Sequence, residues 1–296
     1  MKNRYFVINA LIALSLIISK NALCTPKLLA LDGDYLGQKP PGLTPKAFAP
    51  GVISTPDYEY GGVFMPKMDE FYFIRGAKDN KKQKFVTYKK KGNRWYEAAI
   101  SRRLGQPAIS PNGKTMHLGR HYLTRINNAW SNRKTLGAPF KDLSIMRLTS
   151  SANGTLYFDT WDEKNKQFPI RYSRQVNGQY EPPRVLSKEI NTGKQLNHPY
   201  IAPDESYLIW DAIREDGYGD SDLYISYRQQ DGSWGKAINL GNKINTSAWD
   251  AAGYVTPDGK YFFFHRMISS SVDDGLPNVD IYWVQAQFIE NLRPRK

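Results

Sequence analysis

The side chains with reactive potential are few and regularly placed. The chain has four histidines. Three of them, His121, His198 and His265, lie at the ends of β-rich runs. Carboxylates stand at comparable places, at Glu59, Asp159, Asp211 and Asp250. Imidazole and carboxylate together suit a divalent metal, and histidines that titrate near neutral pH suit general acid–base work. Arg75, Arg120, Arg214 and Arg266 flank the same runs and are natural partners for those carboxylates. Two readings compete. In one, His198, His265 and His121 converge with Asp211 or Asp250 on a metal or a reacting group. In the other, the polar groups line a wet central channel and pair with one another. No H-x-H or H-E-x-x-H spacing supports a metal, and His117-x-x-x-His121 falls in a strand region, where the two rings do not share a helix face. No G-x-S-x-G elbow exists. The acidic run from Asp216 to Asp222 lacks EF-hand spacing and a later bidentate Glu. The balance favours mutual pairing, with no metal or other cofactor expected.

The elements that position these residues are repeated. Val255-Thr256-Pro257-Asp258-Gly259-Lys260-Tyr261-Phe262 reads as a strand, a tight turn and a second strand, because Pro presets φ, Asp bonds its own backbone and Gly accepts φ > 0. Ile109-Ser110-Pro111-Asn112-Gly113-Lys114, Ser151-Ala152-Asn153-Gly154-Thr155 and Ile201-Ala202-Pro203-Asp204-Glu205 are further copies. Met65-Pro66-Lys67-Met68-Asp69-Glu70 is a degraded one. Anchored on Met65, Ser110, Ser151, Ala202 and Thr256, the copies are spaced by 45, 41, 51 and 54 residues. A period near ~40–50 residues with several short strands per unit predicts the blades of a β-propeller.

Each copy has a second half. In the clearest, Asp222-Leu223-Tyr224-Ile225-Ser226-Tyr227-Arg228 is a strand, Gln229-Gln230-Asp231-Gly232 a turn, and Ser233-Trp234 opens the next strand. Asp280-Ile281-Tyr282-Trp283-Val284 is the last such strand. Over roughly residues 46 to 285 this pattern resembles the WD40-like, TolB-type β-propeller repeat, with its S-P-D-G-K turn followed by D-[IL]-Y. The resemblance implies fold far more than function, since such propellers serve as partner-binding platforms, sugar-active enzymes and protease accessory domains. Oligogalacturonide-lyase-type propellers use a histidine cluster, which keeps a glycan-active lyase or hydrolase as the alternative.

The expected fold is therefore all-β, a propeller of about five four-stranded blades, with six as the alternative. The blades run from about Tyr58 to Ile100, Gln106 to Phe140, Leu143 to Leu186, Leu196 to Leu240, and Trp249 to Val284. The last lacks an outer strand. Lys46-Ala47-Phe48-Ala49-Pro50-Gly51-Val52-Ile53-Ser54-Thr55 matches the outer-strand stretch Lys236 to Thr246 and has no blade before it. It is expected to complete the last blade and close the ring. In such a blade the loop before the first strand and the loop after the second share one face. That funnel face would gather the candidate binding residues Arg75, His121, Trp161, His198, Asp211, Arg214, Asp250, His265 and Arg266. Trp130, Trp161, Trp210 and Trp249 are candidates for an exposed aromatic platform.

Residues 1–24 read as a signal peptide, with Lys2 and Arg4 before an apolar run from Phe6 to Ile18 and small residues at Ala22 and Cys24. Cleavage before Thr25 leaves no cysteine; lipidation of Cys24 is the minority alternative. Residues 25–45 form an extended, surface-laid lead, and 46–296 a single propeller domain. No later stretch could span a membrane. The charge of +13 falls to +10 without Lys2, Arg4 and Lys20. Such a balance draws in anionic partners, but no nucleic-acid-binding signature accompanies it. The expectation is a periplasmic or secreted monomer that binds an envelope protein or an anionic glycan without catalysis. Metal analysis of protein purified without chelator or His tag separates the readings. A stoichiometric transition metal lost in His198→Ala, His265→Ala protein selects the enzyme, and a metal-free protein selects the platform.

Overall fold

The computed structural model describes residues 31–77, 80–164, 166–270 and 275–295. The leader of residues 1–24, with Cys24, and residues 25–30 of the lead lie outside the described residues.

The repeated turns form as their side chains require. The Ser110 hydroxyl donates to Asn112 Oδ1 (2.8 Å) and accepts from Thr115 N (2.9 Å). Ser151 with Asn153 and Thr256 with Asp258 repeat the contact at 2.7 and 2.6 Å. The fourth turn residue has a positive φ in every copy. Gly113, Gly154 and Gly259 adopt it freely, whereas Glu205 and Met68 hold 60° and 57° against the preference of residues with a Cβ.

The strands group into four-stranded antiparallel units. A short β1 (Lys46–Ala47) comes first in the chain. The first complete unit is β2 (Tyr58–Phe64), β3 (Glu70–Ala77), β4 (Asn80–Lys91) and β5 (Arg94–Arg102). The second orders β6 (Ala108–Ile109), β7 (Thr115–Leu118), β8 (His121–Ile126) and, beyond a small β9 (Ala129–Trp130), β10 (Lys134–Thr135). The third has β11 (Leu148–Ser150), β12 (Leu156–Asp159) and β13 (Ile170–Ser173). A separate hairpin of β14 (Gln175–Val176) and β15 (Gln179–Tyr180) precedes its outer strand β16 (Arg184–Val185). The fourth is β17 (Lys194–Ile201), β18 (Tyr207–Ile213), β19 (Asp222–Tyr227) and β20 (Ile238–Asn239). The last has β21 (Asp250–Val255), β22 (Tyr261–Ser269) and β23 (Asn278–Gln285), and its fourth strand is β1, with Lys46 opposite Trp283 and Ala47 opposite Tyr282. The fold is a β-propeller closed by its own early strand. A five-residue helix, α1 (Gln287–Asn291), follows.

Closure is secured by aromatic packing. Phe48, just after β1, is fully buried and meets Phe64, Phe71, Phe263 and Trp283, with ring centroids 4.8–6.2 Å apart. Its partners come from both the first and the last units. The lead from residue 31 was expected to lie on the surface; instead Tyr35 and Leu36 are buried. The seam between first and last units leaves apolar faces of Phe64, Tyr261 and Trp283 that Tyr35 covers. Its hydroxyl donates to Asp258 in the last unit's turn, while Trp95 Nε1 of the first unit donates to Gly33 O at 2.8 Å.

Truncating Phe48 to Ala opens a cavity at this seam. The expected loss is about 3–5 kcal/mol in urea unfolding. A loss below about 1 kcal/mol would show that the seam holds without it.

Candidate functional site

The polar centre is built by irregularities in the inner strands. Pairing breaks between Tyr60 and Val63 in β2, between Asn197 and Tyr200 in β17, and between Ala251 and Tyr254 in β21. At these bulges Gly61, His198 and Ala252 take φ of 65°, 52° and 49°. The next residue is tightly enclosed in two of them. A Cβ at Gly62 would stand 2.7 Å from Phe71, and one at Gly253 2.6 Å from Phe262. Each bulge on β17 and β21 turns a backbone N–H toward the preceding unit. His198 N donates to Asp159 Oδ2 and Ala252 N to Asp211 Oδ1, both at 2.9 Å. Met146 N and Arg147 N bond Asp159 Oδ1 at 3.0 and 2.9 Å. The carboxylates therefore join neighbouring units. Burial still pushes the Asp159 carboxyl upward, against its donors and the nearby His198.

A relay runs across the centre. His198 Nδ1 lies 2.8 Å from Asp211 Oδ1. The carboxylate fixes that nitrogen as donor, which leaves Nε2 to accept the Tyr60 hydroxyl at 2.6 Å. Gln106 Nε2 stands 3.4 Å from the same nitrogen. The His265 ring lies 3.9 Å from that of Tyr60 and 4.9 Å from that of Trp249. Burial holds His265 well below the usual histidine range, helped by His198 and Arg147. It also holds the Tyr60 hydroxyl well above the usual phenol range. A carboxylate-held imidazole is the form of a general base, but here its free nitrogen is occupied by Tyr60. The relay is closed to solvent, with His198 3%, Tyr60 2%, His265 1% and Asp211 0% exposed.

Sequence reasoning expected His121, His198 and His265 to share a face, with the arginines as partners of the carboxylates. His198, His265 and Asp211 do meet. His121 sits in β8 and pairs with Thr135 Oγ1 at 3.1 Å. Among the described residues, no three His, Asp or Glu side chains gather at metal-binding distance. Two arginines find the expected acids. Arg75 Nε donates to Glu59 Oε1 at 3.0 Å and Arg266 Nε to Asp250 Oδ1 at 2.6 Å. Thr55 and Thr246 cap the same carboxylates from four residues upstream. Arg75 also bonds Val52 O and Ile53 O, and Arg266 bonds Ile244 O. These two arginines tie each inner strand to the segment before it. Arg214 bonds Asp216 and Thr192 O instead of Asp211. Trp161 is half-buried, bonded to Glu163 and packed on Phe168. Trp210, expected on an exposed platform, is fully buried. It alternates with Ile209 and Asp211 along β18 and faces the packing between units. The sequence reading overlooked Tyr60. Aligning Glu59-Tyr60-Gly61-Gly62 with Asp250-Ala251-Ala252-Gly253 would have placed it at a bulge.

No family model and no curated protein matches the chain. Its structure is similar to TolB from Acinetobacter baumannii, at 11% identity and TM-score 0.46 over 76% of this chain. The chain spans 57% of TolB. It is similar also to an α-L-arabinofuranosidase from Podospora anserina, at 10% identity and TM-score 0.46, covering 86% of this chain and 97% of that one. An oligogalacturonate lyase from Vibrio parahaemolyticus matches at 14% identity and TM-score 0.39, covering 77% and 66%. At these values the likeness does not extend to activity.

The buried carboxyls set a pH dependence. Burial pushes Glu59 up to about 7, outweighing Thr55 and Arg75, and pushes Asp280 up to about 6. In the unfolded chain both titrate near about 4. Between about pH 4 and about pH 7 the folded protein holds protons the unfolded chain has released. The stability these groups contribute is present at acid pH and is lost as pH rises through about 7. The urea midpoint is expected to fall from about pH 5 to about pH 8, and Glu59→Gln to flatten that fall. A midpoint that rises over this range would contradict the assignment.

Proposed function

We propose that the protein is an exported, non-catalytic β-propeller of TolB-type repeats that captures an anionic envelope partner on its funnel face. The observation that carries this reading is the closure of the polar centre. The His198 imidazole and the carboxylates of Asp159 and Asp211 are spent on one another, on Tyr60 and on backbone amides, His265 is buried beside them, and all are closed to solvent. Around that sealed centre, loops of the second, third and fourth units expose cationic and apolar groups. Arg120 and Lys141 are exposed, as are Met146 and Tyr218, and Arg214 lies over the Tyr224 ring. Rigid scaffolds present binding residues on loops of this kind. The leader supports export, and the charge of +10 left without Lys2, Arg4 and Lys20 supports an anionic partner. Among the described residues no helix is long and apolar enough to cross a membrane.

A glycan-active lyase or hydrolase is the second reading, favoured by the Asp211–His198–Tyr60 relay. It requires the centre to open to substrate.

Arg266 and Arg75 hold their own units together, so Arg120 and Arg214 carry the test. Wild-type protein is expected to bind immobilised polygalacturonate or an acidic protein column at low salt. The Arg120→Glu, Arg214→Glu protein is expected to lose that retention with its urea midpoint unchanged. Unchanged retention would overturn the funnel-face assignment. Formation of unsaturated product from polygalacturonate by wild type, absent with His198→Ala, would select the second reading.

A further inference from the structure

The axis of the propeller holds a cavity of about 260 Å³ to which every unit contributes inner-strand residues. Its walls are mostly apolar, including Phe64, Ile109, Ile201 and Val255. The turn prolines Pro66, Pro111, Pro203 and Pro257 belong to the ends of the inner strands and line one end. Arg147 lies just before β11 and lines the other. The cavity is therefore separate from the funnel face and lies toward the turns.

Arg147 is the anomaly. It is 2% exposed, its Nε has no hydrogen-bond partner, and among the described residues its one side-chain hydrogen bond is a long 3.4 Å one from Nη1 to Ala252 O. Among the described residues it forms no ion pair. Asp159 and Asp211 act on it through space, but both are engaged elsewhere, Asp159 by three backbone amides and Asp211 by His198 and Ala252. A buried, unpaired guanidinium is costly, and a fold retains one where something pairs with it. Tyr200 and Tyr254 line the same cavity, and the Tyr200 hydroxyl donates to Val255 O at 3.4 Å. Tyr254 already accepts the Phe64 amide at 3.1 Å, which leaves its proton available to donate.

We propose that this axial cavity binds a small organic carboxylate, with the carboxylate on Arg147 and an apolar body against the inner-strand walls. Guanidinium matches a planar carboxylate with two parallel charge-assisted bonds. An inorganic anion would satisfy the charge and leave the apolar walls unfilled. The size fits a ring with one acid group, since a cavity of about 150 Å³ already takes benzene. The site does not depend on the funnel-face reading, and the two fail on different measurements.

The test titrates the full-length protein with benzoate, benzamide and inorganic phosphate, following heat and melting temperature. Benzoate is expected to bind saturably and raise the melting temperature. Benzamide, of the same shape without the charge, and phosphate, without the ring, are each expected to bind about tenfold more weakly or worse. Arg147→Met is expected to abolish the benzoate response while the free protein melts at or above the wild-type temperature, because an uncompensated buried charge has gone. Ala108→Phe fills the cavity from another wall and should abolish the response with Arg147 in place. No saturable response to benzoate, an equal response to benzamide, or a response that survives Arg147→Met or Ala108→Phe would overturn the proposal.

Discussion

A ring of sheets must close, and here closure is the constraint on which everything else depends. A propeller whose last unit lacked its outer strand would expose the free edge of β23, a row of unpaired backbone groups. β1 covers that edge, and Phe48 behind it packs on rings from both ends of the chain. The lead then spans the same seam through Tyr35 and Gly33. At the axis the units are held differently. Asp159 and Asp211 each reach into the next unit and accept an N–H that a bulge has turned toward them. The outer seam is held by apolar burial, and the inner one by buried carboxylates with fixed partners.

This division explains the character of the polar centre. Charges and imidazoles withdrawn from water are tolerated where each finds a partner. Glu59, Asp159, Asp211, Asp250 and His198 all do. The Thr55–Glu59–Arg75 and Thr246–Asp250–Arg266 clusters are two copies of one device, with the same four-residue and sixteen-residue spacings. Arg147 departs from the pattern, and it is the residue that faces open volume. Of the histidines that attract a catalytic reading, His198 belongs to the partnered set, whereas His265 packs on the Tyr60 and Trp249 rings with its Nε2 unpaired among the described residues.

Much of the fold was legible because its determinants are local. The Ser110, Ser151 and Thr256 turns follow from a hydroxyl, an Asx side chain and a glycine within four residues, and the strands on either side follow from them. The match of the stretch after Lys46 to the outer strand near Lys236 was enough to anticipate the pairing of β1 with β23. The site was only partly legible. Arg75–Glu59 and Arg266–Asp250 could be paired from equivalent positions in the repeat. Tyr60 could be read only by aligning Gly61-Gly62 with Ala252-Gly253, and the His198 bulge has no such mark, because a bulge is set by packing across units. Trp210 was misplaced for a related reason: strand alternation says which residues share a face, but which face packs on the neighbouring unit depends on the assembled ring. The burial of Tyr35 likewise depends on a seam that exists only after closure.

The Asp211–His198–Tyr60 relay is a structural joint between units. Equilibrium unfolding of Asp211→Ala tests it most directly. The substitution strips the acceptor from both His198 Nδ1 and the Ala252 amide. A structural joint predicts a loss of about 3–5 kcal/mol, as for a buried pair deprived of one partner. Unchanged or increased stability would contradict the account, since residues kept for chemistry are commonly held at the expense of stability.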